Sequence, residues 1–191
     1  MKFWKQCLCI LLLYPVTLMT TACTQAQVDA VLSDTDLILQ TADSLGSAIG
    51  AVSPADAAAL SLLTGVAIAG VNAIKTTYDT YEANKTASNA QNVIAAAQAI
   101  QKNLPQELAA LHIVSTNAVA KATAWVTMVV DTAAQIVSQV SGLVGGTRAS
   151  VGLPTPESLK ARWTADICSG DAACGNLVTV HHKHLHRKVK L

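Results

Sequence analysis

The feature that most constrains this chain is a seam of side chains that alternate steps of four and three residues between positions 104 and 143. This spacing puts them on one side of an α-helix and is typical of left-handed helical bundles. Alanine, at 33 of 191 residues, favours the same structure because it is the best helix former and lets helices approach closely. The seam consists of Leu104, Leu108, Leu111, Ser115, Ala118, Ala122, Trp125, Val129, Thr132, Ile136, Gln139 and Leu143. We therefore expect an all-α protein, with an elongated antiparallel bundle of three to five helices over residues 23–146.

Two helices are predicted before the seam. An apolar stripe predicts the first over Ala26–Ile49. The second begins with Ser53 as a capping residue, Pro54 at the first helical position and Asp56 near the positive end of the helix dipole. Its stretch 57–74 carries no charge and is apolar all round. We interpret it as a central helix buried on every side, with a membrane-inserting segment as the alternative.

Small residues recur every four positions in the second predicted helix, at Gly65, Ala69 and Ala73. Side chains of this size at this spacing allow two helices to approach closely. The stripe therefore allows a close helix contact, although such spacing also recurs by chance in alanine-rich chains.

The chain turns polar at Glu82–Asn92, where we predict a break between helices. A shorter helix follows over Ala90–Lys102, with Val93, Ile94, Ala97 and Ile100 facing inward. Pro105 is expected to end that helix and to start the seam helix. A helix from there to Leu143 would be about 60 Å long.

Residues 1–22 have the composition of an export signal. Lys2 and Lys5 precede an apolar run over residues 7–16, and small residues precede Cys23. The apolar run is too short to span a bilayer as a permanent helix. We therefore expect residues 1–22 to be a signal peptide that is removed on export.

The segment LMTTAC at residues 18–23 resembles the lipobox of bacterial lipoproteins, where the leader is cut before a cysteine that receives lipid. The resemblance implies that Cys23 is lipidated and that the lipid holds the protein at a membrane. Thr24, the residue after the cysteine, implies sorting to the periplasmic face of the outer membrane. The alternative is ordinary cleavage after Ala22 or Ala26, which would give a soluble secreted or periplasmic protein.

Removal of the leader leaves three cysteines, Cys23, Cys168 and Cys174. If Cys23 is lipidated, the other two remain as a pair in an oxidising compartment, where Gly170 and Gly175 supply turns. We expect a structural disulfide, and a short loop of this kind contributes about 2 kcal/mol. A metal pair or free thiols are the alternatives, although redox and zinc motifs use closer spacing.

Residues 147–176 are predicted to form a loop, a short docking helix and the Cys168–Cys174 loop. The helix begins near Pro156, and its apolar side chains lie one turn apart, which allows docking on the bundle. These side chains are Leu159, Trp163 and Ile167.

Residues 177–191 form a basic, histidine-rich tail with four Lys and Arg residues and no acid, whereas residues 24–180 have a net charge of −5. In an extended chain His182, His184 and His186 lie on one face, an arrangement that can chelate Zn²⁺ or Cu²⁺. The cations also suit an anionic component of the cell envelope. A disordered end with no specific ligand is the third interpretation.

The sequence carries no catalytic motif of the GxSxG, HExxH, GxxxxGK(S/T) or GxGxxG type. The mature chain keeps four aromatic residues and no basic face, which argues against nucleic-acid binding. We therefore predict a lipid-anchored envelope protein that binds or scaffolds a protein partner and is not an enzyme. The alternatives are a membrane-active protein that inserts the 57–74 helix and a periplasmic metal-binding protein that uses the tail.

Overall fold

A computed structural model describes residues 53–145 and 156–168, together with residues 32, 33, 35, 36 and 39. The described residues are helical apart from short turns, which confirms the all-α prediction. They form helices α1 (Pro54–Ala83), α2 (Ala87–Ala110), α3 (Thr116–Gly145) and α4 (Pro156–Trp163), and a π-helical turn over Thr164–Cys168. The five isolated residues between 32 and 39 are helical too and belong to the first predicted helix.

Helix α1 begins where the sequence predicts. The Ser53 hydroxyl accepts a hydrogen bond from the amide of Asp56 at 3.1 Å, and Pro54 lies in the first turn. The predicted start is therefore confirmed. The Ser53 hydroxyl accepts from an amide that has no partner within the helix, and Pro54 has no amide hydrogen that would need one.

The predicted break between the second and third helices is confirmed at residues 84–86. Thr86 caps α2 by accepting a hydrogen bond from the amide of Asn89 at 3.2 Å. The side-chain amide of Asn89 donates to the carbonyl of Asn84 at 2.7 Å, which fastens the turn to the end of α1. A polar turn of three residues is sufficient to bring α2 back along α1.

The prediction that Pro105 starts a new helix is wrong, because Pro105 lies inside α2. The proline itself is exposed, whereas Leu104 is buried and Leu108 packs partly against the core. Burial of these neighbours offsets the hydrogen bond that the proline cannot donate. The seam helix therefore begins at Thr116 and not at Pro105, and at 30 residues it is about 45 Å long.

The core lies where α2 packs against both α1 and α3. The inward positions predicted for α2 are all buried, and so are the α3 members of the seam from Ala118 to Ile136. Leu32 and Leu39, which lie in the first predicted helix, also belong to this core. The predicted α2 positions are Val93, Ile94, Ala97 and Ile100, and Ala90 and Leu104 are buried as well.

The starts of α1 and α3 meet at a buried carboxylate. Asp56 is 1% exposed, and its two oxygens accept hydrogen bonds from the amides of Val114 at 2.8 Å and Ser115 at 3.3 Å. Ser115 in turn caps α3, since its hydroxyl accepts from the amide of Ala118 at 3.3 Å. Asp56 thus lies at the positive ends of two helix dipoles and joins them.

Helix α4 and the π-helical turn contact α3. The apolar side chains of Leu159, Trp163 and Ile167 are buried. The guanidinium of Arg162 contacts the carboxylate of Asp131 at 3.1 Å, with both side chains partly exposed. A solvent-exposed pair of this kind contributes about 0–1 kcal/mol, so burial of the apolar side chains holds α4 in place.

Replacement of Asp56 by alanine is expected to lower the free energy of unfolding by about 2–3 kcal/mol. The change removes a charged acceptor and leaves the partly buried amides of Val114 and Ser115 without their partner. Urea unfolding followed by circular dichroism measures the loss. Asp79→Ala, an exposed position on the same helix, is the control and should change stability by less than about 0.5 kcal/mol. Equal stability of the two variants would show that Asp56 does not join the helices.

Candidate interaction face

The interpretation of the second helix as buried on every side is wrong. Of the most apolar 18-residue window in α1, 39% is buried, and this helix is long and apolar enough to cross a membrane by length and composition. Leu62 is 66% exposed and Val66 39% exposed. One side of α1 packs on the core, and a second apolar side is left on the surface.

A glycine sets the distance between α1 and α2. A Cβ atom added at Gly70 would lie 2.6 Å from Cγ1 and 2.8 Å from Cδ1 of Ile100. At Gly65, by contrast, an added Cβ would meet nothing within 4 Å. The stripe of Gly65, Ala69 and Ala73, whose spacing allows a close contact, is exposed, and Gly70 makes the contact with α2.

A shallow groove of about 210 Å³ lies between α1 and α2, beside this contact. Its α1 wall includes Val66, Gly70 and Ala73, and its α2 wall includes Ala96, Ala99 and Asn103. Asn103 supplies the only polar side chain of the lining. The groove is shallow because most of the residues that line it have a side chain of one methyl group or none.

The surface around the groove has no charge on α1. Residues 57–74 contain no ionisable side chain, and the preceding Asp56 is turned into the bundle toward the amides that it binds. Exposed charges on α1 begin only at Lys75 and Asp79. We call the exposed apolar side of α1 with Leu62 and Val66, together with the groove, the outer face. Its chemistry suits contact with another apolar surface.

Most of the site residues that the sequence predicts lie outside the described residues. Cys23 and Cys174 are among them, and so are His182, His184 and His186. Lipidation, the Cys168–Cys174 pairing and metal binding by the tail therefore stay predictions. The signal peptide at residues 1–22 lies outside the described residues as well.

Cys168 and His112 are described. Cys168 is 2% exposed and disulfide-bonded, and its partner lies outside the described residues. His112 is exposed in the connection between α2 and α3. Within residues 53–145, 156–168 and the isolated positions before them, no three His, Cys, Asp or Glu side chains are grouped so that they could hold a metal ion.

Sequence reasoning missed the outer face although the sequence contains its signal. Ala58, Leu62, Val66, Ala69 and Ala73 repeat at steps of four, four, three and four residues. This is a second helical stripe, displaced around α1 from the buried one. Together the two stripes make residues 57–74 apolar all round, which predicts full burial. Periodicity shows which residues share a side of the helix, but it does not show whether another helix covers that side.

A comparison of the chain with protein-family models finds no match. Comparisons with curated proteins and with solved structures also find none.

A pair of glycine substitutions tests the geometry of α1. Gly65→Ala should raise the free energy of unfolding by about 1 kcal/mol, because alanine is the better helix former and the site is open. Gly70→Ala should lower it by about 1–3 kcal/mol, because the new methyl group overlaps Ile100. Thermal and urea unfolding of both variants measure the difference. A gain of stability at both positions would contradict the close contact at Gly70.

Proposed function

We propose that this chain is a lipid-anchored protein of the bacterial cell envelope that acts by binding or scaffolding and not by catalysis. The observation that carries the proposal is the outer face of α1, where Leu62 and Val66 are exposed beside an uncharged groove. Exposed apolar surface gives the folded chain no stability. A contiguous patch of this kind marks an interaction site in soluble proteins.

The shape that we propose for the binding scaffold is an elongated antiparallel bundle. Asp56 joins the start of α1 to the start of α3, and α2 packs between those two helices. Helices α1 and α3 then run in one direction and α2 runs in the other. At 30 residues each, α1 and α3 are about 45 Å long, and the outer face occupies about 17 Å of α1 between Leu62 and Ala73.

The proposed anchor is a lipid on Cys23. Leu32, nine residues later, is 2% exposed and belongs to the core. Nine residues span at most about 30 Å when extended and about 14 Å as a helix. A lipid at Cys23 would therefore hold the bundle, with its outer face, close to the bilayer. We place the protein on the periplasmic face of the outer membrane, with the basic tail available to an anionic envelope component.

The second candidate function is membrane activity, in which α1 leaves the bundle and enters a bilayer. The observation that favours it is the length and apolar composition of α1. The charge-free stretch 57–74 would span about 27 Å as a helix, close to the hydrocarbon thickness of a bilayer. Insertion would have to break the hydrogen bonds of Asp56 to the backbone before α3.

Labelling with radioactive palmitate is expected to mark the wild-type chain in the membrane fraction and not the Cys23→Ser variant. Acylation needs the thiol of Cys23, whereas Cys174→Ser keeps that thiol and should keep the label. Intact mass spectrometry of the native protein gives the cleavage site and the acyl chains. Mature protein that begins after Cys23 and lies free of the membrane would overturn the anchor.

Dye release from liposomes tests the second candidate. If α1 inserts, the purified chain should release trapped dye, and Val66→Asp should reduce release because it places a charge in the inserted segment. Val119→Asp is the matched control, since Val119 on α3 is 40% exposed and Val66 is 39% exposed. Intact liposomes in the presence of the wild-type chain would contradict insertion.

A further inference from the structure

We infer that the outer face of α1 pairs with the same face of a second copy of this chain, with Leu62 of each copy seated in the α1–α2 groove of the other. This inference rests on the proposed binding role of the outer face and names its partner. Two features on one side of α1 support it: the projecting side chain of Leu62, and the hollow formed by the α1–α2 groove. Leu62 is 66% exposed, and Gly70 and Ile100 are among the residues that line the groove.

The projection and the hollow are placed so that two copies fit each other. Leu62 and Gly70 are eight residues apart, which is about 12 Å along α1. A twofold axis that passes near Val66, midway between them, exchanges the two positions. Each copy then gives its leucine and receives the other leucine, which is the reciprocal contact of a closed symmetric dimer.

The groove has the size and lining for this contact. A volume of about 210 Å³ corresponds to about seven water molecules, which is enough for the four carbon atoms of a leucine side chain. Gly70, Ala73, Ala96 and Ala99 leave the backbones of α1 and α2 close to the surface. Such small residues let a third helix approach closely, as they do where helices pack in membranes.

Charge and burial favour this occupant over the basic tail and the first predicted helix. The basic tail would bring four Lys and Arg residues against a lining that offers them no carboxylate. The described apolar residues of the first predicted helix, Leu32 and Leu39, are buried against the core and not on the outer face. A second α1 brings residues 57–74, which carry no charge, so the contact buries no unpaired ion on either side.

A bilayer fits the outer face less well than a helix does. Segments that lie in a membrane interface present large apolar and aromatic side chains. Among the described residues of α1, Leu62 and Val66 are the only large apolar side chains that are exposed, and the groove beside them is concave and contains Asn103. A concave lining of methyl groups receives a protruding side chain, whereas a fluid lipid surface requires no such hollow.

Chemical cross-linking in cells tests the pairing. Two full-length copies with different tags, both carrying Val66→Cys, are co-expressed and treated with a short bifunctional thiol reagent. Since Val66 lies near the proposed twofold axis, the two introduced thiols should be adjacent. We expect a product that carries both tags, severalfold above the level in the chain with native cysteines only. Val119→Cys, which is equally exposed on α3, should stay at that level.

A second substitution removes the projection without adding charge. Leu62→Ala should reduce the Val66→Cys product severalfold, whereas Val114→Ala, at a position that is 80% exposed outside the outer face, should leave it unchanged. All four positions are exposed, so these variants are expected to fold, and circular dichroism checks that they do.

The pairing is overturned if Val66→Cys gives no more two-tag product than Val119→Cys, or if it is cross-linked only to a different protein. It is also overturned if the chain is monomeric and floats with liposomes in a manner that Val66→Asp abolishes, because a bilayer would then be the occupant. The cross-link is repeated with Cys23→Ser. A product that survives this change together with absent palmitate label on the wild type would refute the anchor and leave the pairing intact.

Discussion

Asp56 lies where the starts of α1 and α3 meet, and its carboxylate accepts hydrogen bonds from the backbone amides of Val114 and Ser115. Because those amides precede α3, the contact decides where the connection after α2 ends and where α3 begins. It also fixes the side of α1 that turns inward, since a buried carboxylate is tolerated only where donors meet it. The rest of the bundle depends on this constraint, because α2 packs between the two helices that Asp56 joins.

Because the contact of Asp56 fixes which side of α1 faces the core, the opposite side of α1 lies at the surface. The buried side of α1 contributes apolar side chains to the core. Because Gly70 has no side chain, α2 approaches so closely that Ile100 occupies the space where a Cβ atom at Gly70 would lie. This approach makes the outer groove shallow and lines it with small residues. The outer face is therefore a by-product of how the core is packed, and its uncharged surface sets what can bind there. A membrane-proximal position, which the lipid on Cys23 would provide, raises the local concentration of identical chains and favours pairing.

Local signals in the sequence were sufficient for much of the fold. The start of α1 at Ser53, the break after Ala83 and the buried positions of α2 and α3 follow from capping, polarity and helical periodicity, which act over a few residues. The prediction failed at Pro105, where the burial of Leu104 and Leu108 keeps the helix intact beyond the proline. Spacing alone also could not distinguish Gly65, which faces open space, from Gly70, which meets Ile100.

By itself the sequence determined that the chain is helical, which residues share a side of each helix, and where the chemistry of export, lipidation and metal binding is to be sought. The tertiary structure alone decided which of the two apolar sides of α1 is buried, where α3 begins, and that Leu62 and Val66 are left exposed beside a groove. The physical reason is that periodicity and capping are properties of neighbouring residues. Burial instead depends on contacts between residues such as Asp56 and Val114, which are 58 positions apart.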